Sequence, residues 1–494
     1  MNLRSTITSF ITILGTILLV SSCRPAATPT PEKNAAQPAK ISDGKSFQRQ
    51  IRELLPPEKE TEDSRLDRAF EAAYQLQEKK DYLGAIAAWQ DVLKKFKLDA
   101  DDREEICFNI AYLYELQYET TANDPGLLKK SIDWYTRSIN INPNQSAAFY
   151  NRGNVYNDLN DHEHALHDYS EAIRLAPQDT DALVNRGQLY YRKEKYDLAL
   201  PDFNRAIELN PANETALWNR ADLYRETRRP ELALRDYSAV IKLNPQNADA
   251  LAARAAIHHQ RSDLAAAFKD INAAIELMPE NLQFRMLRAL VAVENNQANL
   301  AVSDLTTVLE RDQKDPVPFA MRAQAYTVLK KFVPARQDID RALQLDFRCI
   351  EAHRAAAALA AEQKQFDAAI TSYRQCIKLA PRETADYLNL MEIMLISGRS
   401  GDFPALREEM HLRIPKSDFD ATDLLILDYF NVLYLIVTRQ PAEKPFAALL
   451  VRRAATASLE WDFSLLDAWL QNPPREFTPD QLKQLRNITE RMKK

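Results

Sequence analysis

The sequence predicts an all-α fold: a solenoid of about ten stacked helix pairs with a C-terminal helical cap. Three observations lead there. Pro143, Pro177, Pro211, Pro245 and Pro279 each lie 34 residues after the last. Gln313 and Phe347 interrupt the grid, and Pro381 and Pro415 restore it, so the phase survives eight steps without a net insertion. Within each period, apolar residues fall into two stripes of i, i+3, i+4 spacing, the mark of two amphipathic helices. The whole chain holds only eight glycines, which suits helices and argues against glycine-rich phosphate loops. A fixed period of this length means a stacked array, and it overrides the three domains that about 150 residues per domain would suggest.

With Ser146 as position 1, position 8 is Gly153, Gly187, Ala221, Ala255, Ala289, Ala323 and Ala357 in successive periods, and position 20 is Ala165, Ala199, Ala233, Ala267, Ala301, Ala335 and Ala369. These small residues let two antiparallel helices approach closely. Position 24 is large (Tyr169, Phe203, Tyr237, Ile271, Leu305, Ile339, Tyr373). A polar turn such as Leu159-Asn160-Asp161 separates the stripes. The proline comes after the second helix, where it costs no internal hydrogen bond. Positions 4, 8, 11, 20, 24, 27 and 32 of Ser146–Asn281 resemble the tetratricopeptide repeat, and Leu282–Glu383 resembles it more loosely but in register. The resemblance implies a right-handed α-solenoid whose first helices line a concave groove that docks a peptide or partner protein. The stacking argument stands without it, because a lone hairpin cannot bury its own stripe.

Residues 1–22 read as a bacterial lipoprotein signal peptide. Arg4 precedes an apolar run from Ile7 to Val20, too short for a comfortable membrane span. Leu19-Val20-Ser21-Ser22-Cys23 resembles a lipobox, which implies lipidation of Cys23, and Arg24 in place of Asp favours the outer membrane in a two-membrane organism. Residues 23–62, rich in Pro and Ala, read as a tether. Two divergent hairpins fill 63–145. The first spans Leu66–Leu98; the second carries about eight extra residues near Glu119–Gly126, expected in the turn between its helices. Seven in-register repeats occupy 146–383. A degenerate repeat follows at 384–416, with Met391 at position 8 and a distorted turn over Arg399–Pro404. Residues 417–494 follow another pattern and read as a helical cap, in which Leu424–Val437 is a buried helix or a docking one. Thr478-Pro479-Asp480-Gln481 is a capping box.

The sequence offers no catalytic, cofactor or metal site. It contains no HExxH, GxSxG, Walker or dinucleotide motif. Cys107 and Cys376 fall at core positions and read as buried thiols, with a Cys349–Cys376 disulfide left open for an oxidising compartment. His164 and His167 face outward, short of the three or four convergent ligands that zinc needs. A net charge of −6 with no long basic run points away from nucleic acid.

Two periodic constellations remain. Position 7 is Arg152, Arg186, Arg220, Arg254, Arg288 and Arg322; position 23 is Asp168, Asp202, Asp236, Asp270, Asp304 and Asp338. They are expected to pair as a structural ladder, bidentate where the geometry is best. In the family that the repeats resemble, positions 2, 5, 6, 9, 12 and 13 face the groove. Here they include Tyr150, Asn151, Asn154, Val184, Asn185, Gln188, Tyr191, Trp218, Asn219 and Asp222. Asn151, Asn185 and Asn219 share position 6 and resemble an asparagine ladder that holds a peptide backbone. From Ala253 to Ala355 the ladder gives way to Met286, Leu287, Leu290, Val317, Met321 and Val328, an expected apolar wall. The expectation is a lipid-anchored, extracytoplasmic, non-enzymatic scaffold that binds protein or peptide partners, in envelope assembly or beside a cell-wall enzyme. The alternative is a small-molecule or glycan-binding lipoprotein that uses the groove aromatics.

Overall fold

The computed structural model describes residues 62–121, 124–415, 418–419, 421–455, 463–471 and 477–493. Among them the structure is all-helical. They divide into two compact units that meet in sequence at Pro245 and Gln246. The expected signal peptide (1–22), Cys23 and the expected tether as far as residue 61 lie outside the described residues; Glu62, expected as the tether's last residue, is the first of a helix.

The first unit consists of five helix pairs: α1 (Glu62–Glu78) with α2 (Tyr82–Lys95), α3 (Ala100–Thr120) with α4 (Pro125–Ile141), α5 (Ser146–Asp158) with α6 (His162–Leu175), α7 (Thr180–Arg192) with α8 (Tyr196–Leu209), and α9 (Glu214–Glu226) with α10 (Pro230–Leu243). Each pair packs on itself, and each second helix packs on the first helix of the next pair. The first helices α5 and α9 also touch their predecessors α3 and α7, so first helices share one face.

The second unit continues with α11 (Ala248–Gln260), α12 (Leu264–Leu277), α13 (Leu282–Glu294), α14 (Ala298–Arg311), α15 (Pro316–Val328), α16 (Phe332–Leu345), α17 (Ile350–Glu362), α18 (Phe366–Leu379), α19 (Thr384–Ile396) and α20 (Phe403–Arg413), paired in the same way. The cap adds α21 (Ala421–Val437), α22 (Glu443–Ala455), α23 (Ser464–Gln471) and α24 (Pro479–Lys493).

Local chemistry sets the helix ends. Asp179, Asn213, Asn247, Asn281 and Asp315, all at position 34, cap first helices by accepting backbone N–H groups. From the third hairpin to the tenth, the turn passes through a left-handed residue at position 15: Asn160, Glu194, Arg228, Ser262, Asn296, Lys330 and Lys364, with φ of 55–59°, and Gly398 at 75°. The next N–H then bonds back five residues, as Asp161 does to the Tyr156 carbonyl at 2.8 Å, which closes the helix end. None of these residues is β-branched, the class for which φ > 0 is costliest. Position 8 must be small: a Cβ on Gly187 would lie 2.7 Å from the Phe203 ring.

One expectation about the chain path is corrected. The extra residues before Gly126 do not form a long turn. They go mainly into helix at both sides of the turn: α3 continues through Thr120 with no breaker among Glu115–Thr120, and α4 already begins at Pro125 and has 17 residues against 14 in α6. The degenerate repeat keeps its helix pair, with a short 3₁₀ turn at Ser400–Asp402. In α21, Leu425, Ile426, Tyr429, Phe430 and Leu433 are buried against α19, so this helix is core of the cap. The capping box forms: the Thr478 N–H donates to Gln481 Oε1 at 3.0 Å, and the Gln481 N–H donates to Thr478 Oγ1 at 3.2 Å. No described helix is long and apolar enough to cross a membrane.

Candidate partner-binding face

The position-7 arginines and position-23 aspartates meet within each hairpin. Arg152 Nε and Nη2 donate to Asp168 at 2.7 and 2.9 Å. Arg186–Asp202, Arg220–Asp236, Arg254–Asp270, Arg288–Asp304 and Arg322–Asp338 repeat the bidentate pair at 2.6–2.9 Å. Most of these arginines spend a third N–H on the second helix of the preceding hairpin, as Arg186 does on Ser170 Oγ and Arg220 on Asn204 Oδ1. The rung therefore ties a hairpin to itself and to its neighbour. Every aspartate is under a tenth exposed, so the ladder is not a ligand-facing row.

The first-helix face of the first unit carries a polar network that joins one hairpin to the next. Asn185 Nδ2 donates to Asn154 Oδ1 at 2.9 Å and to the Tyr150 hydroxyl at 3.3 Å. Asn154 Oδ1 also accepts from the Tyr169 hydroxyl at 2.8 Å. Two hairpins on, the Tyr237 hydroxyl donates to Asp222, and Arg225 Nη2 lies 3.0 Å from the same carboxylate. Trp218 meets Tyr237 edge-on, with ring centroids 5.4 Å apart, and Tyr191 lies against Tyr196 at 5.7 Å. Tyr150, Asn154, Asn185, Gln188, Tyr191, Trp218 and Asp222 are all partly exposed. Burial pushes the Tyr150 phenol up to about 12, with Asp181 and Asp179 adding to it. Burial also raises the Tyr191 phenol, and the carboxylates of Asp222 and Glu226 raise it further.

This network corrects the open asparagine ladder. Asn151 is 3% and Asn219 9% exposed, and the Asn185 amide is already engaged. Position 6 lies at the seam between first helices, where Asn185 bonds to the preceding hairpin and Asn151 and Asn219 are covered, so the three do not form an open row. Val184 is likewise buried. The expected apolar wall is corrected for the same reason: Met286, Leu287, Leu290 and Met321 are at most 4% exposed and form core, with only Val317 and Val328 partly exposed beside them.

Several polar groups on these helices were not foreseen. The Tyr74 hydroxyl donates to Glu105 Oε1 at 2.6 Å, and the Tyr135 hydroxyl to buried Glu115 at 2.5 Å. His259 Nε2 lies 2.9 Å from Glu294, both buried. Arg354 donates to Asp386 through Nε at 2.9 Å and Nη2 at 2.8 Å, with both side chains at most 1% exposed. Periodicity could reveal the position-7 rungs; each of these pairs occurs once and leaves no such signal. His164 and His167 are exposed and lie beside Asp161 and Asp168. Cys107, Cys349 and Cys376 are buried free thiols, and burial raises the Cys107 thiol to about 11.

Family models of the tetratricopeptide repeat match residues 146–179, 180–213, 218–281 and 353–383. No curated protein matches the chain. Among solved structures, a tetratricopeptide repeat protein of Parabacteroides merdae is 20% identical, over 50% of this chain and 98% of its own, with a TM-score of 0.43. Pseudomonas aeruginosa pilF is 20% identical, over 41% and 92%, with a TM-score of 0.35. Yeast Tom70 is 16% identical, over 76% and 97%, with a TM-score of 0.37. The 34-residue period, the paired helices and the family models agree: over 146–213, 218–281 and 353–383 the chain is built of tetratricopeptide repeats.

Proposed function

We propose that the chain is a lipid-anchored, extracytoplasmic scaffold that holds a protein or peptide partner along the first-helix face of residues 62–245 and does no chemistry itself. The observation that carries this is the continuity of that face. Side chains from successive first helices bond to one another, and they leave Tyr150, Gln188, Tyr191 and Trp218 partly exposed along it. Partly exposed aromatics on a rigid support give contact area at a low ordering cost. The anchor rests on the Leu19-Val20-Ser21-Ser22-Cys23 sequence alone. With the anchor, the scaffold would work at a membrane surface in envelope assembly.

Crosslinking and pull-down from membranes tests the face, with the wild type beside Gln188→Ala/Trp218→Ala. The expected result is loss of a captured partner while the variant keeps its helical signal and melting temperature. An unchanged set of partners would overturn the assignment. Fractionation of Cys23→Ala tests the anchor: the variant should leave the membrane fraction, and its retention there would remove lipidation from the account.

A further inference from the structure

The inward positions of the five hairpins in the first unit, counted from Leu66, Glu104, Ser146, Thr180 and Glu214, carry nine carboxylates, two arginines and no lysine. The same positions in the four hairpins counted from Ala248, Leu282, Pro316 and Ile350 carry four carboxylates and one arginine. The chain as a whole is only −6, while these positions of the first unit alone sum to −7; Glu115 is buried against Tyr135, and the other eight carboxylates are partly or fully exposed. One of the two arginines is already committed: Arg225 lies 3.0 Å from Asp222 and 3.4 Å from Glu226. The surroundings register the excess. Burial raises the Asp181 carboxyl, Asp179 adds to it, and Asp222 and Glu226 help to raise the Tyr191 phenol.

A second observation points to a ligand. Asn185 finds Tyr150 and Asn154 at positions 5 and 9 of the preceding hairpin. For Asn219 those positions hold Val184, which has no hydroxyl, and Gln188. Asn219 is 9% exposed and its amide nitrogen has no hydrogen-bond partner. A buried donor without an acceptor costs about 1–3 kcal/mol, and an incoming carbonyl oxygen would remove that cost. It sits next to Trp218, among the carboxylates.

We infer that this face takes an extended basic segment, with lysine or arginine side chains set against Asp181, Asp222 and Glu226 and their stems or cationic heads over Trp218 and Tyr191. Opposite charge speeds encounter and excludes acidic competitors, and a cation over an indole face adds attraction. The inference rests on the reading of this face as the docking surface.

The test is fluorescence anisotropy with the full chain and three labelled twelve-residue peptides. They are identical except for lysine, serine or glutamate at every third position. The lysine peptide should bind, the serine peptide should bind about tenfold more weakly or worse, and the glutamate peptide should not bind. Tightness should fall as salt rises. Asp181→Asn/Glu226→Gln should weaken the lysine peptide about tenfold, a loss of one charge-pair's worth of affinity, with an unchanged helical signal. Among the described residues Asp181 makes no side-chain pair that the substitution would break, and Glu226→Gln gives up only the 3.4 Å contact with Arg225, which keeps Asp222. Equal binding of the three peptides, no binding of the lysine peptide, or an indifferent double variant would each overturn the charge preference. The docking surface is judged separately: partner capture lost in Gln188→Ala/Trp218→Ala keeps that reading even when the lysine peptide fails.

Discussion

Arg220 shows what one side chain does for the array. Its guanidinium grips Asp236 twice and reaches Asn204 with a third N–H. Arg220→Ala would leave Asp236, 2% exposed, with only the looser contact of Arg235 at 3.6 Å in place of the two-point grip. The expected cost is about 3 kcal/mol, read as a fall in the urea midpoint. Arg220→Lys should recover less than half of it, because an ammonium cannot make the planar two-point contact. A midpoint that does not move in Arg220→Ala would show that the ladder is decoration. Asp181 is the opposite case. Its folded carboxyl is held above its ordinary value, first by burial and then by Asp179. Such a group favours folding fully below its unfolded value and loses that contribution as pH rises through the folded one. Asp181→Asn stays neutral throughout. It should therefore melt higher than wild type at pH 7, and the gap should close below about pH 4, where wild type is protonated as well. A gap that persists or reverses in acid refutes the assignment. Both aspartates are plain in the sequence, but only the rung is periodic, and periodicity is what marks Asp236. That Asn151 is buried and Trp218 is not could not be read in this way, because both sit at inward positions, and the seam between helices decides which side chain is covered.

At the scale of elements, the repeats announce themselves through amphipathic stripes, and the elements that lack a stripe are the ones that the sequence describes poorly. In α19 every residue but Ala385 is buried. A helix covered on all sides shows no moment for a pattern search to find, so the degenerate repeat reads as damage when it is the joint between array and cap. The α3 extension was misplaced for a related reason: a polar stretch without a breaker suits a loop and an exposed helix equally. The joint also holds Arg354 and Asp386, the most deeply buried ion pair among the described residues. Arg354→Met alone should cost about 3–5 kcal/mol, since it strands the aspartate, whereas Arg354→Met/Asp386→Leu should fall within about 2 kcal/mol of wild type. Urea titration of the two variants decides it. A double variant as weak as the single one would mean that the pair specifies the joint and does not merely fill it. A chain cut after Pro415 uncovers the face of α19 that meets α21, including contacts of Leu388 and Ile393 within the cap core. It should lose hydrogen-exchange protection in α19 and aggregate; full protection in the shortened chain would show that the cap is not a lid on the core.

For the whole molecule, the governing fact is that each hairpin spends its interactions on its immediate neighbours. Stability is then close to a sum of hairpin and interface terms. The fold class was legible because this sum forces the same residues to recur every 34 positions. The binding face was legible only in outline, because a ligand surface has no obligation to repeat. Excision of residues 180–213 tests both statements together. The cut joins Asp179 to Glu214 and keeps the register, so Asn219 inherits the place of Asn185 opposite Tyr150 and Asn154, and Arg220 inherits that of Arg186 opposite Ser170. The shortened chain should stay soluble and helical, with the same ellipticity per residue and a melting temperature lower by a few degrees, about the effect of one lost interface. Collapse of the helical signal would mean that the array is not modular here. The same excision removes Asp181, Gln188 and Tyr191 from the face. A folded chain that no longer captures its partner would separate what the repeat does for the fold from what these three side chains do for binding; a folded chain that still captures it would move the docking site off this hairpin.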